Sequence, residues 1–358
     1  MSMSIFEEMK KHGHEQLMFN YDSTTGLKSI IAVHDTTLGP ALGGCRMLPY
    51  ETEQEALEDV LRLSKGMTYK CGISGVDYGG GKTVIIGDPE QDKSEGLFRA
   101  LGRYVETLKG RYYTGTDVGT VPEDFVNALR ETNHVVGLPE EFGGAGNSAI
   151  NTAFGAWMGI KACVKEKFGN DDLSGKRVAV QGLGKVGKVL VDFLVEEKAE
   201  VIVTDISKEN IQEVISRYSE VEVVEPDDIY QVECDIFSPN ALGAVINDNT
   251  VDKLKCSIIA GAANNQLKEE KHGRMLFDKD ILYAPDYIVN GGGLIQVSDE
   301  IGGHDKDRIK KKTERIYDIL LQVFKISREE HITPQEAADK LVEDRLKTVE
   351  GLQANYIG

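Results

Sequence analysis

The sequence predicts a two-domain α/β protein whose second domain is a doubly wound parallel sheet. A length of 358 residues exceeds one typical domain and is sufficient for two, each with its own core. From residue 177 onward, continuous apolar strands alternate with helices, which is typical of a parallel sheet covered on both faces. The glycine-rich segment 143–148 has the freedom of a hinge. We therefore expect domains 1–142 and 143–329, with a C-terminal helix 330–358 that packs back on the first domain.

The first domain is expected to alternate strands and helices. Thr52 and Glu55 have the spacing of a capping box, which satisfies the first free amides of a helix. After them, apolar residues recur at the intervals of one helical face. The predicted elements are strands at 28–34 and 83–87, helices at 52–66 and 95–108, and a glycine loop at 39–46.

The second domain is expected to begin with a helix at 151–168 and to continue as a strand–helix series. RVAVQ (177–181) and VIVTD (201–205) are continuous apolar runs, as strands buried on both faces are. The predicted helices of this series are 185–198 and 207–218, and the further strands are 221–224, 235–239, 257–262 and 287–293. The tail from residue 306 is expected to be helical.

The charge, the N-terminus and the cysteines exclude several classes of protein. A formal net charge of −18 repels phosphate backbones, so we expect no nucleic-acid partner. The N-terminus lacks the apolar segment of a secretory signal, and no apolar run has the length of a membrane span. Five scattered cysteines without a CxxC pair indicate reduced thiols, and the sequence predicts no metal site. We therefore expect a cytoplasmic protein.

A glycine pattern follows the strand 177–181 and opens a helix. In such a turn, Gly182 makes the tight bend, Gly184 lets a pyrophosphate approach the backbone, and Gly187 lets helix and strand pack closely. Free amides and the helix dipole then favour the phosphates. Asp205 ends the next strand, where a carboxylate accepts from ribose hydroxyls and repels a 2′-phosphate. The order of these features predicts a Rossmann-type domain that binds NAD rather than NADP.

A lysine follows three glycines in the first domain, in DYGGGKT (77–83). The motif is not a phosphate-binding P-loop, because Val76 stands where that loop needs its first glycine. We expect Lys82 to be shielded from water, since it lies between apolar strands. Desolvation lowers the pKa of a lysine and lets it act as a base near neutral pH. Taken alone, such a lysine is more often a surface cation, and an aspartate such as Asp117 is more often a cap or turn residue.

Three motifs of the first domain occur in a recognisable order, namely MTYK (67–70), GGGKT (79–83) and TGTDVGT (114–120). Together with GPALGGCRM, QGLGKVG, GAANNQL and YAPDYIVNGGGLIQVSDE, they resemble the leucine/phenylalanine/valine branch of the glutamate dehydrogenase superfamily. The resemblance covers nearly the whole chain. It implies a substrate domain followed by a Rossmann domain, with an active site in the cleft between them. It also implies a dimer-based homo-oligomer, often an octamer.

The resemblance implies roles for individual residues. Lys82 resembles the catalytic lysine, Asp117 the aspartate that works with it, and Lys70 the lysine that pairs with the substrate carboxylate. The other substrate-binding residues that it implies are Leu42, Gly43, Gly44, Met67, Gly115, Asn264, Leu294 and Val297. The cofactor-binding residues that it implies are Gly182, Gly184, Lys185, Val186, Gly187, Asp205, Ile206, Thr152, Asn240, Ala262 and Asn264.

The activity implied by the resemblance is NAD-dependent oxidative deamination of an L-amino acid to its 2-oxo acid and ammonia. Lys82 and Asp117 would manage protons while the cofactor takes a hydride. Phenylalanine is the expected substrate, because Gly115 and Leu294 resemble the phenylalanine type and a glycine at 115 leaves room for a ring. Leucine or valine is the alternative, since one methyl group discriminates by only about 1–3 kcal/mol. A non-catalytic NAD-binding regulator would be expected to lack the lysines or the aspartate, and all are present.

Three positions depart from the family pattern. Asn151 stands where proline is common, Asn240 where cysteine is usual, and Gly291 where alanine or serine is common. None of these changes removes a charged catalytic group. Asn240 lies near the expected nicotinamide site, where it can alter cofactor affinity in either direction.

Overall fold

The computed structural model describes residues 4–353, which form two compact units. The first unit comprises residues 4–146, 296–305 and 342–353. The second unit comprises residues 147–295 and 306–341. Among residues 4–353, none of the helices combines the length and the hydropathy that a membrane crossing requires.

The first unit is built on a mixed sheet. Its strands are β1 (Gln16–Asp22), β2 (Leu27–Asp35), β3 (Ala41–Leu42), β4 (Cys45–Leu48), β5 (Gly79–Ile86) and β6 (Tyr112–Tyr113). They lie in the order β1-β2-β5-β3-β6, and β4 pairs with β5 off this path. β1, β2 and β5 are antiparallel neighbours, whereas β3 and β4 run parallel to β5. β2 and β5 are buried along nearly their whole length, as their β-branched composition predicts.

Helices cover both faces of this sheet. They are α1 (Ile5–His12), α2 (Glu53–Ile73), α3 (Glu95–Thr107) and α4 (Pro122–Leu129). α2 packs over Ile30 on one face. On the other face, Phe98 of α3 and Phe125 of α4 meet edge to face with ring centroids 5.9 Å apart. The Thr52 hydroxyl caps α2 by accepting a backbone amide at 3.1 Å, as predicted.

The glycine run before Lys82 lets α2 and β6 approach β5 closely. A Cβ on Gly80 would lie 2.2 Å from both the backbone nitrogen and the hydroxyl of Thr68 in α2. A Cβ on Gly81 would lie 2.6 Å from the ring of Tyr112. Neighbouring chain therefore fills the space that side chains would need, and packing alone requires glycine at these positions.

The second unit is built on a parallel sheet. Its strands are β7 (Arg177–Gln181), β8 (Glu200–Thr204), β9 (Glu222–Val223), β10 (Ile236–Pro239), β11 (Ile258–Ile259) and β12 (Leu282–Tyr283). Their order is β12-β11-β10-β7-β8-β9, and every neighbouring pair is parallel. Counted from β7, this is the doubly wound order with its switch point between β7 and β10. The predicted Rossmann-type fold is confirmed.

Helices flank this second sheet and continue to the C-terminus. They are α5 (Ala149–Phe168), α6 (Lys185–Glu196), α7 (Lys208–Arg217), α8 (Glu270–Asp278), α9 (Asp286–Val289), α10 (Gly291–Glu300), α11 (Lys306–Glu330) and α12 (Pro334–Gln353). Two short 3-10 turns lie at Glu140–Phe142 and Ile229–Gln231. α10 and α12 each contribute residues to both units.

The predicted strand 287–293 (YIVNGGG) is wrong, because this segment forms α9 and the start of α10. A short apolar run fits a buried strand and a buried helix equally well, so periodicity alone does not decide. Tertiary contacts decide it here. A Cβ on Gly292 would lie 2.1 Å from the carbonyl oxygen of Asn151 in α5, and the Asn151 amide donates to the Gly292 carbonyl at 2.6 Å. Asn151 therefore ties α5 to this glycine run.

The division of the chain differs from the continuous domain 143–329 that the sequence suggested. Residues 296–305 group with the first unit, where the Glu300 carboxylate accepts from the amides of Gly137 and Ala145 at 2.7 and 2.8 Å. The helix expected at 330–358, whose last five residues lie outside the described residues, is likewise divided. Its first part belongs to the second unit, because Asp339 accepts from the Tyr287 hydroxyl at 2.8 Å. From Val342 onward, α12 groups with the first unit.

Two histidines are buried beside α2. His14 Nε2 lies 3.1 Å from the Leu61 carbonyl and 2.9 Å from the Ser64 hydroxyl, and its ring meets that of His34 at 4.8 Å. Burial lowers the pKa of His14 to about 4, and the adjacent His34 acts in the same direction. Burial also lowers the pKa of His34. Both imidazoles are therefore neutral in the folded protein at pH 7.

Acid is expected to destabilise the fold through His14. An unfolded histidine has a pKa of about 6.5, so below that pH the unfolded chain binds more protons than the folded chain. The contribution of the neutral His14 to the free energy of unfolding should be fully present above about pH 7. It should fall as the pH drops from about 6.5 towards 4. At pH 5 the free energy of unfolding should be lower by about 2 kcal/mol through His14 alone. Urea unfolding of His14→Gln, which does not titrate, should show a shallower decline between pH 7 and pH 5.

The matched control is His331→Asn, which changes an exposed histidine and should follow the wild-type decline. If His14→Gln loses as much stability as the wild type between these pH values, His14 is not the group responsible.

Candidate active site

Lys82 and Asp117 form an ion pair in the first unit. Lys82 lies in the middle of β5, and its side chain is 7 % exposed, so the predicted burial is confirmed. Its Nζ is 2.6 Å from Asp117 Oδ2. Asp117 follows β6 in a turn where its backbone amide donates to the Thr120 hydroxyl at 2.9 Å. The turn therefore presents the carboxylate to the buried lysine.

Arg46 shares the same carboxylate, and the sequence analysis did not single it out. Its Nε donates to Asp117 Oδ2 at 3.2 Å, and its Nη1 donates to Asp59 at 3.0 Å. Burial acts to raise the pKa of Asp117, but Lys82 and Arg46 outweigh it and hold the pKa below its ordinary value. Asp117 is therefore ionised at neutral pH. The available signal for Arg46 was its position inside the motif GPALGGCRM.

Gly43 and Gly44 bring the backbone close to this pair. A Cβ on Gly44 would lie 3.0 Å from the Asp117 side chain, and a Cβ on Gly43 would lie 3.2 Å from the Met67 side chain. Larger residues at these positions would collide with the surrounding chain. The structure thus places Gly44 against Asp117, and Gly43 against Met67 and against Gly81, the residue before Lys82.

Four further predicted substrate residues lie in three elements. Lys70 is half-buried one turn after Met67 in α2. Leu42 lies in β3 and is only 2 % exposed, so it is a core residue and not an open wall of a pocket. Leu294 and Val297 are half-buried and lie three residues apart in α10. Val297 belongs to the first unit and Leu294 to the second.

Gly115 does not open space for an aromatic ring. A Cβ at this position would lie 2.7 Å from the Val136 carbonyl oxygen and 3.1 Å from Val136 Cγ2. The missing methyl group therefore faces the protein's own chain. The Thr114 amide donates to the His134 carbonyl at 3.1 Å, and the Val136 amide donates to the Thr114 carbonyl at 2.8 Å. These hydrogen bonds hold the two segments together. The expectation that glycine at 115 makes room for phenylalanine is wrong.

In the second unit, the three glycines after β7 have the distinct environments that the sequence predicts. Gly182 has a φ of +97°, which suits glycine in a tight turn. A Cβ on Gly187 would lie 2.0 Å from the Gly182 carbonyl oxygen, so α6 lies directly against the turn. Gly184 is the exposed N-cap of α6, and nothing lies within 4 Å of its Cβ position. This open space at a helix N-terminus fits a pyrophosphate.

Asp205 and Ile206 follow β8 beside this glycine turn. The Asp205 carboxylate accepts from the Leu183 amide of the turn at 2.5 Å. Ile206 is 92 % exposed and offers an apolar surface to a base. Lys185 is exposed and Val186 half-buried in the first turn of α6. The open space at Gly184, at the N-terminus of α6, and the nearby Asp205 carboxylate together fit a dinucleotide.

The remaining predicted cofactor residues also lie in the second unit. The Ala262 amide, in the loop after β11, donates to Asn240 Oδ1 at 2.9 Å. Asn264 is exposed in the same loop, and its Oδ1 accepts from Asn290 at 2.7 Å. With its Oδ1 bonded by Asn290, Asn264 keeps its amide nitrogen as a hydrogen-bond donor. Thr152 lies in α5, where its hydroxyl donates to a carbonyl one turn earlier at 2.9 Å.

Comparisons with known proteins agree with this arrangement. The family model for the Glu/Leu/Phe/Val dehydrogenase dimerisation domain matches residues 14–134, and the model for glutamate/leucine/phenylalanine/valine dehydrogenase matches residues 203–338. A phenylalanine dehydrogenase of Caldalkalibacillus thermarum is 55 % identical over 351 residues, which cover 97 % of this chain and 94 % of the relative. A leucine dehydrogenase of Thermoactinomyces intermedius is 52 % identical over 355 residues, or 99 % and 97 % of the two chains.

A solved structure is also similar over nearly the whole chain. The L-tryptophan dehydrogenase of Nostoc punctiforme superposes with a TM-score of 0.87 at 45 % sequence identity. The match covers 97 % of this chain and 100 % of that chain.

Proposed function

Because the chain belongs to the glutamate/leucine/phenylalanine/valine dehydrogenase family, we propose that it catalyses the reversible, NAD-dependent oxidative deamination of an L-amino acid. The products are the 2-oxo acid, ammonia and NADH, and L-phenylalanine is the preferred substrate. The observation that carries the proposal is the buried Lys82–Asp117 pair, with 2.6 Å between Nζ and Oδ2. A buried amine beside an ionised carboxylate suits the proton transfers that deamination needs.

Each of the four charged side chains of the candidate site has one task in this mechanism. Lys70 binds the substrate carboxylate through its ammonium charge. Lys82 releases and takes up protons at Nζ while the imino acid gains water and loses ammonia. Asp117 remains ionised, held by Arg46, and orients the Lys82 side chain. The chemistry that bound NAD would supply is a hydride acceptor for the substrate α-carbon.

Residues of the second unit hold the cofactor in this proposal. The turn from Gly182 to Gly187 binds the pyrophosphate at the start of α6. Asp205 accepts from the ribose hydroxyls and disfavours a 2′-phosphate, so NAD is preferred to NADP. Asn264 donates from its amide nitrogen to the substrate carboxylate and assists binding of the cofactor.

Initial rates with a panel of L-amino acids, each with NAD and with NADP, test the proposal. We expect the highest kcat/KM with phenylalanine and NAD, and lower values with leucine, valine and methionine. The preference for phenylalanine rests on the slightly higher identity to a phenylalanine dehydrogenase than to a leucine dehydrogenase. A higher kcat/KM with leucine or valine would favour the branched-chain alternative. Absence of NADH formation with every amino acid would refute the dehydrogenase.

We further propose that the chain assembles as a homo-oligomer built from dimers, up to an octamer. In this proposal, β1 forms part of the dimer contact. β1 is an edge strand of its sheet, and edge strands offer unpaired backbone groups to a partner. Phe19 and Tyr21 lie on one face of β1 and are 54 % and 65 % exposed. The dimerisation-domain model spans this strand. A second copy of the chain would cover these rings.

Replacing both Phe19 and Tyr21 with glutamate is therefore expected to reduce the molar mass measured by light scattering. Two carboxylates in an apolar contact are costly to bury. Phe142→Glu, at a 46 % exposed aromatic residue outside β1, is the control and should leave the mass unchanged. An unchanged mass in the double variant would place the dimer contact elsewhere.

A further inference from the structure

Asn240 lies at the switch point of the second unit's sheet. It directly follows β10, and its backbone amide donates at 2.7 Å to the carbonyl of Gln181, the last residue of β7. Its Nδ2 donates to the backbone carbonyl and the hydroxyl of Ser238 at 2.9 and 3.0 Å. Its Oδ1 accepts from the Ala262 amide at 2.9 Å. One residue therefore joins the ends of two adjacent central strands to the loop after β11.

Two other amide side chains hold the same loop. Asn290 donates to the Ala262 carbonyl at 3.2 Å and to Asn264 Oδ1 at 2.7 Å. Gln266, which is fully buried, donates at 2.6 Å to the carbonyl that precedes Ala262. The backbone N–H of Ala262 is thus bonded by Asn240 and its backbone C=O by Asn290, so the peptide groups on both sides of Ala262 are held. Asn264 follows two residues later, so its direction depends on how firmly the backbone at Ala262 is held.

We propose that Asn240 is a positioning residue that acts through the Ala262 peptide to orient Asn264 towards the cofactor and substrate. The inference deepens the proposed function and rests on it, because that function gives Asn264 its ligand. The Asn240 side chain makes this set of bonds because its amide is both a donor and an acceptor, whereas a thiol at this position would be a weak donor and a weak acceptor. Asn240 therefore supplies an alignment that hydride transfer is sensitive to, since small displacements of bound groups slow catalysis strongly.

A double-mutant cycle tests the coupling between the two residues. The variants are Asn240→Ala, Asn264→Ala and the double substitution, each measured for kcat/KM with NAD and for NADH affinity. Loss of one hydrogen bond to the loop should lower kcat/KM of Asn240→Ala by up to about tenfold. If Asn240 works through Asn264, the double variant should lose no more than Asn264→Ala alone. Additive losses would overturn the proposal, because a merely structural residue acts independently of Asn264.

Amide hydrogen exchange of the cofactor-free protein provides a readout that does not depend on activity. Asn240→Ala should speed exchange at the Ala262 amide, which loses its acceptor, while the second unit keeps its thermal midpoint within a few degrees. Asn247→Ala is the matched control. That residue also donates to one backbone carbonyl, of Ala244 at 2.8 Å, and accepts one backbone amide, of Asn249 at 2.9 Å, so its side-chain bonds do not involve Ala262. Unchanged exchange at Ala262 in the Asn240 variant would overturn the proposal.

The two hypotheses fail in different ways. If the wild-type protein forms no NADH with any amino acid, the proposed function fails, whereas the exchange measurement still reports on the loop. If the wild type is active but the cycle is additive, the dehydrogenase stands and the positioning role of Asn240 fails.

Discussion

Lys82→Met is expected to lower kcat/KM for the preferred amino acid by roughly 10³–10⁴-fold, near the upper range for loss of a general acid–base group. Methionine approximates the length of the lysine stem but carries no proton. Asp117 keeps Arg46 as a charged partner at 3.2 Å, so the variant should remain folded. NADH binding depends on residues of the second unit and should be unchanged. Fluorescence titration and steady-state rates measure the two quantities separately.

Lys93→Met is the matched control for this substitution. Lys93 is a partly buried lysine of the first unit, paired with Asp124 at 2.7 Å and outside the candidate site. Its replacement should leave kcat/KM within about twofold of the wild type. If Lys82→Met retained more than roughly a tenth of wild-type turnover, Lys82 would have no part in proton transfer.

Gly80→Ala is expected to lower the free energy of unfolding by about 3 kcal/mol, a large value for a single methyl group. Its Cβ would lie 2.2 Å from the Thr68 nitrogen and 2.5 Å from the Ser64 carbonyl oxygen. These are backbone atoms of a packed helix, and they have no side-chain rotation by which to yield. The strand that carries Lys82 would have to move away from α2, so activity should fall together with stability.

Gly66→Ala separates this packing effect from the general effect of replacing glycine. Gly66 lies in α2, is exposed, and has nothing within 4 Å of its Cβ position. Alanine there should raise stability by about 0.5–1 kcal/mol through helix propensity. Urea unfolding measures the free energy of unfolding of both variants and of the wild type. If Gly80→Ala is as stable as the wild type, the close contact between α2 and β5 does not limit stability.

Sequence reasoning succeeded where the requirement on a residue is local. Gly182 needs a positive φ, Gly184 needs open space at a helix start, and Gly187 needs contact with the adjacent turn. All three requirements act within six consecutive positions, so spacing alone predicted them. The burial of Lys82 was predicted from nearby sequence as well, because this lysine follows three glycines and lies between apolar strands.

Sequence reasoning failed where distant segments decide the outcome. Glycine at 115 was expected to enlarge a pocket, but Val136, which belongs to a later segment of the chain, occupies that space. Arg46 was overlooked, because its bonds to Asp59 and Asp117 join positions that are separated by 13 and 71 residues. No local pattern reports such a triad.

The sequence by itself determined the alternation of strands and helices, the phosphate-binding turn and the identity of the lysine and aspartate candidates. The first two depend on neighbours within one or two turns of chain, whereas the lysine and the aspartate were identified from the order of three motifs between residues 67 and 120. Only the tertiary structure decided that 287–293 is helical, that residues 296–305 and 342 onward join the first unit, and that Asn240 bonds the Ala262 loop. These outcomes depend on packing and hydrogen bonds between segments far apart in sequence, which local periodicity does not encode.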